Sequence, residues 1–266
     1  MESSRELVSI IIVTFNNQET INNCLDSLLK LRNKNEIIVV DNSSTDKTFE
    51  RLNKYTKEIE IIALPQNLGF SKANNLGVKY SRGDYLLFLN PDTQVLSLDS
   101  LNLLRETLES NSELGLIGPK LVLESGQTQK TVRNLPSALN AFKEYILGSK
   151  GAYDFYLPES EGLAKVESVV GACMLITKKI FLKVGGFDER YFLYYEDLQL
   201  CKDLKDKGFS IGYLSTVSFK HSLGASGKNQ PTNKLLTQSA KKYHGYASFY
   251  LIQFIFKISQ LFKRIK

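Results

Sequence analysis

Short apolar runs that stop on polar clusters recur along the first half of the chain, and each is followed by apolar residues at helical spacing. Residues 7–13 end on Thr14-Phe15-Asn16-Asn17, and Ile21, Leu25, Leu28 and Leu29 then repeat at helical intervals. Residues 36–40 run into Asp41-Asn42-Ser43-Ser44-Thr45-Asp46, ahead of a helix carrying Phe49, Leu52 and Tyr55. A third strand over 59–64 leads to Pro65-Gln66-Asn67-Leu68-Gly69-Phe70, with Ser71 as the expected N-cap of a helix through Leu76 and Tyr80. The fourth run, 85–89, is too short for a helix and aromatic-rich, which predicts a central strand covered on both faces. Pro91 cannot donate to a ladder and holds Asn90 extended, so Asn90 and Asp92 project from the carboxyl end of that strand. Strands alternating with helices imply right-handed crossovers and a mostly parallel α/β sheet with helices on both faces. Residues up to about 115 are therefore expected to form a Rossmann-like nucleotide-binding half, with ligands at the carboxyl ends of the strands.

After a helix carrying Leu98, Leu101, Leu104 and Leu108 the alternation stops. Residues 121–129 predict a hairpin around Ser125-Gly126. The stretch 130–165, with Arg133, Pro136, Gly148, Gly151, Pro158 and Gly162, has no clear period and reads as a mobile or substrate-specific loop. Residues 166–176 return to strand, and Thr177 caps a short helix through Ile180 and Val184 that Gly185-Gly186 breaks. Asp197 precedes Leu200, Cys201 and Leu204 by three, four and seven residues, so a helix starting here puts its carboxylate on the inward stripe and leaves Glu196 off it. Helix N-terminal capping is the competing account of Asp197. That helix ends at Gly208, a strand covers 209–214, and Lys220-His221-Ser222 precedes a glycine loop at 224–227. From Tyr246 onward Gln253, Lys257, Gln260 and Arg264 form one narrow polar stripe on an otherwise apolar helix. A spanning helix needs about 20 predominantly apolar residues. The tail is therefore read as an interfacial helix with a basic end, against the alternative of packing on the domain or on a partner subunit such as a second copy.

Composition narrows the partners. The 266-residue chain is 42% hydrophobic and 23% charged, ordinary for a globular protein, and its net charge of +6 points to an anionic partner. The basic excess clusters at the tail and no aromatic-basic motif accompanies it, which disfavours nucleic acid. Cys24, Cys173 and Cys201 stand singly in apolar patterns and predict buried thiols in a reducing compartment. The absence of an apolar signal region after a basic start predicts a chain that is not exported. A nicotinamide-dependent oxidoreductase fits the βα pattern but requires a glycine-rich first turn, where Thr14-Phe15-Asn16-Asn17 stands.

Seven motifs in order carry a resemblance: VSIIIVTFN at 8–16, IVVDNSSTD at 38–46, NLGF at 67–70, NPD at 90–92, VVGACM at 169–174, GGFD at 185–188 and YED at 195–197. Together they resemble family 2 glycosyltransferases of the GT-A fold, and within them rhamnosyltransferase-like members that build bacterial surface polysaccharides. The resemblance covers about residues 7–225. It implies a GT-A domain over 1–228, with a nucleotide-sugar half at 7–115, an acceptor and catalytic half at 116–228, and a helical, membrane-associating tail at 229–266. It implies single-displacement, inverting transfer of a sugar to a saccharide or lipid-linked saccharide at the cytoplasmic face of the membrane. The donor would be dTDP-rhamnose or a UDP-sugar. Asp41 would read the pyrimidine base, and Thr14, Asn16, Asn67, Gly69, Phe70, Asn74 and Asn90 would complete the donor site. Asn42 replaces a second Asp found in many members and takes no charge-dependent role. Asn90 likewise replaces the first Asp of the usual metal motif, leaving Asp92 to hold Mg²⁺ or Mn²⁺. His221 matches a metal ligand of some relatives, with a structural histidine as the competing account. Asp197 would be the general base, and Glu196 and Arg133 would meet the acceptor, Arg133 being also readable as a solvated loop residue. The alternative is a non-catalytic carbohydrate- or nucleotide-binding protein of the same fold.

Overall fold

The computed structural model describes residues 7–31, 35–222 and 232–265; the glycine loop at 224–227 lies outside them. Four parallel strands open the sheet: β1 (Val8–Thr14), β2 (Glu36–Asp41), β3 (Glu60–Ala63) and β4 (Tyr85–Leu89), in the order β3-β2-β1-β4. Their connections carry α1 (Ile21–Leu28), the short α2 (Thr48–Leu52) with a 3-10 turn at Asn53–Tyr55, and α3 (Phe70–Tyr80). Alternate residues of one strand enter different cores. Tyr85, Leu87 and Leu89 join Ile10, Ile12, Ile21 and Leu25 on one side, while Leu86 and Phe88 join Ile11, Val78 and Phe187 on the other. That is why β4 is an unbroken apolar run. Phe88, Phe181 and Phe187 stack with ring centroids 4.8–5.4 Å apart, anchoring the second core.

Ser71 is not the N-cap of α3. The helix begins at Phe70, two residues earlier than that cap would set it, its cap is Gly69 at φ 83°, and Ser71 is buried in the first turn. The Phe70 N–H donates to the carbonyl of Phe192 at 2.7 Å, so a remote backbone group does the work a side-chain cap would do.

After Asn-Pro-Asp the chain turns back into β5 (Thr93–Val95), which the sequence pattern did not announce, and then forms α4 (Ser100–Ser110) and β6 (Leu114–Val122). The expected hairpin is a tight turn with a single antiparallel bridge, Val122 to Thr128. Residues 130–165 are structured rather than a plain loop: β7 (Val132–Arg133), α5 (Ala138–Tyr145), whose first turn is capped by Ser137 Oγ accepting from the Asn140 N–H, and β8 (Leu163–Val166). The single strand expected over 166–176 is divided into β8, β9 (Ser168–Val169) and β10 (Cys173–Thr177), the interruption falling at Val170-Gly171-Ala172. Thr177 caps α6 (Lys178–Lys183) as expected, its Oγ1 accepting from the Ile180 N–H. α7 (Glu196–Asp206) and the long β11 (Ser210–His221) complete the sheet in the order β3-β2-β1-β4-β10-β6-β11-β5, with β8 on β11. β10 runs antiparallel between β4 and β6. β7 and β9 form a separate two-stranded ribbon.

The chain closes on α8 (Thr232–Ile265), interrupted at Gly245 by φ 71° and ψ 161°. Beyond that joint Ile252 and Ile255 pack with Ala141 of α5 and with Tyr153, so one face of the tail lies on the domain. The opposite face keeps Tyr250, Phe254 and Leu261 exposed, at 57–60%. Among the described residues no helix is long and apolar enough to cross a membrane.

Candidate active site

A cleft of about 1110 Å³ opens at the carboxyl ends of β1 and β4, walled on one side by the turns after β2 and β4 and on the other by the β9–β10 interruption and the start of α7. Asn42 organises the first wall. Its amide donates to Asn67 Oδ1 at 2.8 Å and to the Gly69 carbonyl at 3.3 Å, while its Oδ1 accepts from the Leu68 N–H at 2.8 Å. An aspartate here could not donate, and would set a carboxylate against the Asn67 oxygen. The neutral residue is thus a structural tie between β2 and the 67–69 loop, a role that the sequence alone did not disclose.

The expected donor residues divide into two groups. Asn67, Gly69, Phe70 and Asn90 line the cleft; Thr14, Asn16, Asp41 and Asn74 stand outside its lining. Thr14 Oγ1 donates to Asn17 Oδ1 at 3.1 Å, Asn16 Oδ1 accepts from the Thr45 N–H at 2.7 Å, and the Asn74 amide donates to the Phe70 carbonyl at 3.0 Å. These side chains fix turns and the start of α3. Asp41 is buried; Oδ2 accepts from the Ser44 N–H at 3.2 Å, and Oδ1 has no hydrogen-bond partner among the described residues. Burial pushes its carboxyl up, with the Ser44 hydrogen bonds acting against that.

At the floor, β5 and β11 pair Thr93 with His221, and the Ser222 N–H donates to the Asp92 carbonyl at 3.0 Å. This ladder brings His221 Nε2 to 3.4 Å from Asp92 Oδ1, which is buried and accepts no hydrogen bond from the described residues. A buried carboxylate oxygen lacking a donor and facing an imidazole nitrogen fits a hard divalent cation. Among the described residues there is no group of three or more His, Cys, Asp or Glu that could hold a metal, so the pair suits an ion that takes further oxygens from a bound phosphate.

Asp197 stands in the first turn of α7. Its Oδ2 accepts from the Gly171 N–H at 2.9 Å and its Oδ1 from the Leu198 N–H at 2.8 Å. Burial raises its carboxyl above the ordinary aspartate range, while these two amides and the Arg133 charge pull the other way. Leu200, Cys201 and Leu204 of the same helix are buried, as the spacing requires. Glu196 departs from the expectation that it lies off the inward face: it is buried, its Oε2 has no partner among the described residues, and burial together with Asp197 holds its carboxyl well above the usual value. The cause is the entry to the helix. Tyr194 and Tyr195 both adopt positive φ, 70° and 71°, and the reversed backbone turns the first helical residue inward. Regular helical spacing does not anticipate such a turn.

Arg133 is not a solvated loop residue. It lies on β7 opposite Ser168, its Nε donates to the Tyr153 carbonyl at 2.7 Å, and its guanidinium sits 4.6 Å from the Tyr153 ring centre and 5.3 Å from that of Phe155. Glu196, Asp197 and Arg133 all line the cleft. So do Gly171, Gln129, and Thr232 and Leu236 of α8, none of which the sequence singled out individually. Gly171 carried a signal, since it lies inside the 169–174 motif. The front of α8 is fastened there by Ser239 Oγ donating to the Leu193 carbonyl at 2.7 Å and by Tyr195 against Tyr243 and His244. Burial and the Arg133 charge push the His244 imidazole down to about 4.

The mixed sheet, with its cleft at the carboxyl ends of the parallel strands and Asp92 and Asp197 on that cleft, defines a GT-A fold. The chain belongs to glycosyl transferase family 2, whose sequence profile matches residues 9–184. It is 26% identical over 246 residues to the low-salt glycan biosynthesis hexosyltransferase Agl10 of Haloferax volcanii, covering 91% of this chain and 73% of that protein. It is 25% identical over 256 residues to an N-acetylglucosaminyl-diphospho-decaprenol L-rhamnosyltransferase of Mycobacterium tuberculosis, covering 90% and 83% respectively. Among solved structures, GalNAc-T7 with UDP, GalNAc and Mn²⁺ superposes with a TM-score of 0.69 at 13% identity, over 91% of this chain and 48% of that one. TarS of S. aureus in complex with UDP superposes with a TM-score of 0.58 at 18% identity, over 88% and 64%.

Proposed function

We propose that the chain is an inverting hexosyltransferase of glycan biosynthesis that moves a sugar from a nucleotide donor to a saccharide or lipid-linked saccharide. The observation that carries this is Asp197, a half-buried carboxylate that lines the same cleft as Asp92 and His221 and is oriented by two backbone amides. As a carboxylate it accepts the proton of the acceptor hydroxyl while that oxygen bonds to the anomeric carbon; the bond from that carbon to the nucleoside diphosphate breaks, with inversion. Asp41, whose Oδ1 has no partner among the described residues, reads the pyrimidine, and Asn67, Gly69, Phe70 and Asn90 hold the donor. Asp92 and His221 would hold Mg²⁺ or Mn²⁺, which supplies positive charge against the diphosphate. Glu196 and Arg133 meet the acceptor. L-Rhamnose, with dTDP-rhamnose as its donor, follows the name of the mycobacterial rhamnosyltransferase, and the UDP named with the TarS and GalNAc-T7 structures supports another hexose from a UDP-sugar as the alternative.

Calorimetric titration of UDP and of dTDP, each with Mg²⁺, Mn²⁺ or chelator, tests the donor site. Metal-dependent binding of at least one nucleotide is expected, and Asp92→Ala should reduce that binding to the level seen with chelator. Binding of neither nucleotide under any condition favours the non-catalytic alternative.

The tail supports a peripheral site of action on an anionic membrane. Its outward face presents Tyr250, Phe254 and Leu261 with Lys257 among them, while the inward face is already occupied by α5. In vesicle sedimentation the wild type should pellet with phosphatidylglycerol vesicles, and Phe254→Glu with Leu261→Glu should lower the partition at least about tenfold, since each such side chain contributes roughly 1.5–3 kcal/mol when fully buried. A wild type that stays in the supernatant and runs as a dimer assigns that face to a second copy instead.

A further inference from the structure

Gln129 lies on the return limb of the turn after β6, where its N–H donates to the Leu121 carbonyl at 2.9 Å. Leu121 pairs with Phe219 in the β6–β11 ladder, so the backbone of Gln129 is registered to β11 two residues before His221. Its side chain reaches across, and Gln129 Oε1 stands 2.8 Å from His221 Nδ1. An amide oxygen only accepts, so this contact is a hydrogen bond in the neutral Nδ1–H tautomer, in which Nε2 keeps its lone pair. That nitrogen faces Asp92 Oδ1 at 3.4 Å. Two electron-rich atoms directed at one another in a buried place are an unfavourable pair in isolation and become a favourable one around a shared cation.

We propose that Gln129 is a positioning residue that fixes His221 in the Nδ1–H tautomer and so keeps Nε2 free as a metal ligand beside Asp92. The proposal rests on the reading of Asp92 and His221 as the metal pair. Without Gln129 the ring can protonate Nε2 instead, donate to the Asp92 carboxylate and close the site as an internal hydrogen bond. Partners that orient a ligating histidine in this manner commonly govern metal affinity by about 10–100-fold. Gln129→Glu retains an acceptor at the same reach and should retain the tautomer, whereas Gln129→Leu removes it.

The chain has two histidines, which makes a spectroscopic test direct. Long-range ¹H–¹⁵N spectra of ¹⁵N-histidine protein, taken without metal well above the ordinary imidazole value of about 6.5, report the tautomer of each ring, and His244→Gln assigns the peaks. The expected result is Nδ1–H at His221 in the wild type and in Gln129→Glu, and a shift towards Nε2–H in Gln129→Leu. Mn²⁺ binding in the presence of UDP or dTDP, read by the electron paramagnetic resonance of the free ion, should be about 10–100-fold weaker in Gln129→Leu and near wild type in Gln129→Glu. An Nε2–H ring in the wild type, or a tautomer indifferent to Gln129→Leu, overturns the role of Gln129 while leaving the metal reading standing. A wild type that shows Nδ1–H and yet binds no Mn²⁺ with either nucleotide overturns the metal reading and, with it, the purpose assigned to the tautomer.

Discussion

Asp197→Asn is expected to lower kcat by at least about 10²–10⁴-fold, the usual contribution of a positioned proton acceptor, while nucleotide affinity measured with metal stays near wild type. The asparagine keeps the shape and one oxygen for the Gly171 or Leu198 amide but cannot take the acceptor's proton. The pH profile provides a second readout. Because burial raises the carboxyl, the acid limb of kcat/KM should lie above the ordinary aspartate value of about 3.9, with activity rising as pH passes upward through the folded-state value. Arg133 acts in the opposite direction, so Arg133→Met should move the limb to still higher pH. Undiminished turnover in Asp197→Asn, or an acid limb unmoved by Arg133→Met, would count against this assignment.

Gly69→Ala should produce the larger structural loss of a matched pair of substitutions. Gly69 and Gly126 both hold positive φ, 83° and 81°, a region that L side chains rarely adopt, so an alanine at either is strained. They differ in what the added carbon meets. At Gly69 it would fall 2.5 Å from the Phe192 carbonyl oxygen, a backbone atom with little room to yield, whereas at Gly126 nothing among the described residues lies within 4 Å. The Gly69 variant should therefore lose more in thermal midpoint, lose protection of the Phe70 amide from hydrogen exchange, and bind nucleotide more weakly. Equal shifts in the two variants would mean that contact between the 67–70 loop and Phe192 contributes nothing.

The elements legible in the sequence are those whose cause is local. β1, β2 and β4 declared themselves because both faces of each strand meet apolar neighbours, and α6 because Thr177 and Gly185-Gly186 bracket it. Ser71 misled because the group that satisfies the start of α3 is the carbonyl of Phe192, which no local pattern contains. Glu196 misled because helical spacing assumes a regular entry, and Tyr194 and Tyr195 make an irregular one. The stretch 130–165 stayed opaque since its helix is short and its strands hold only two to four residues each, too few to display a period. Asp92 and Asp197 were visible as carboxylates at the end of a strand and the start of a helix. The supporting parts were not, because Gln129 and Gly171 act through contacts 92 and 26 residues distant in sequence.

Strand order also bears on how the chain emerges from the ribosome. β4 is flanked by β1, made early, and by β10, which pairs Leu175 with Leu87 and is made roughly 90 residues later. For that interval of synthesis one side of a wholly apolar strand has its peptide groups unpaired, a template for pairing with another nascent chain. Translation pauses or truncations falling between residues 90 and 177 should thus be the most prone to aggregate and the most dependent on chaperones. The aspartate of the Asn-Pro-Asp turn reaches its partner histidine only once β11 is complete, so that pair forms with the last strand of the sheet, and the front of α8 closes the cleft after it.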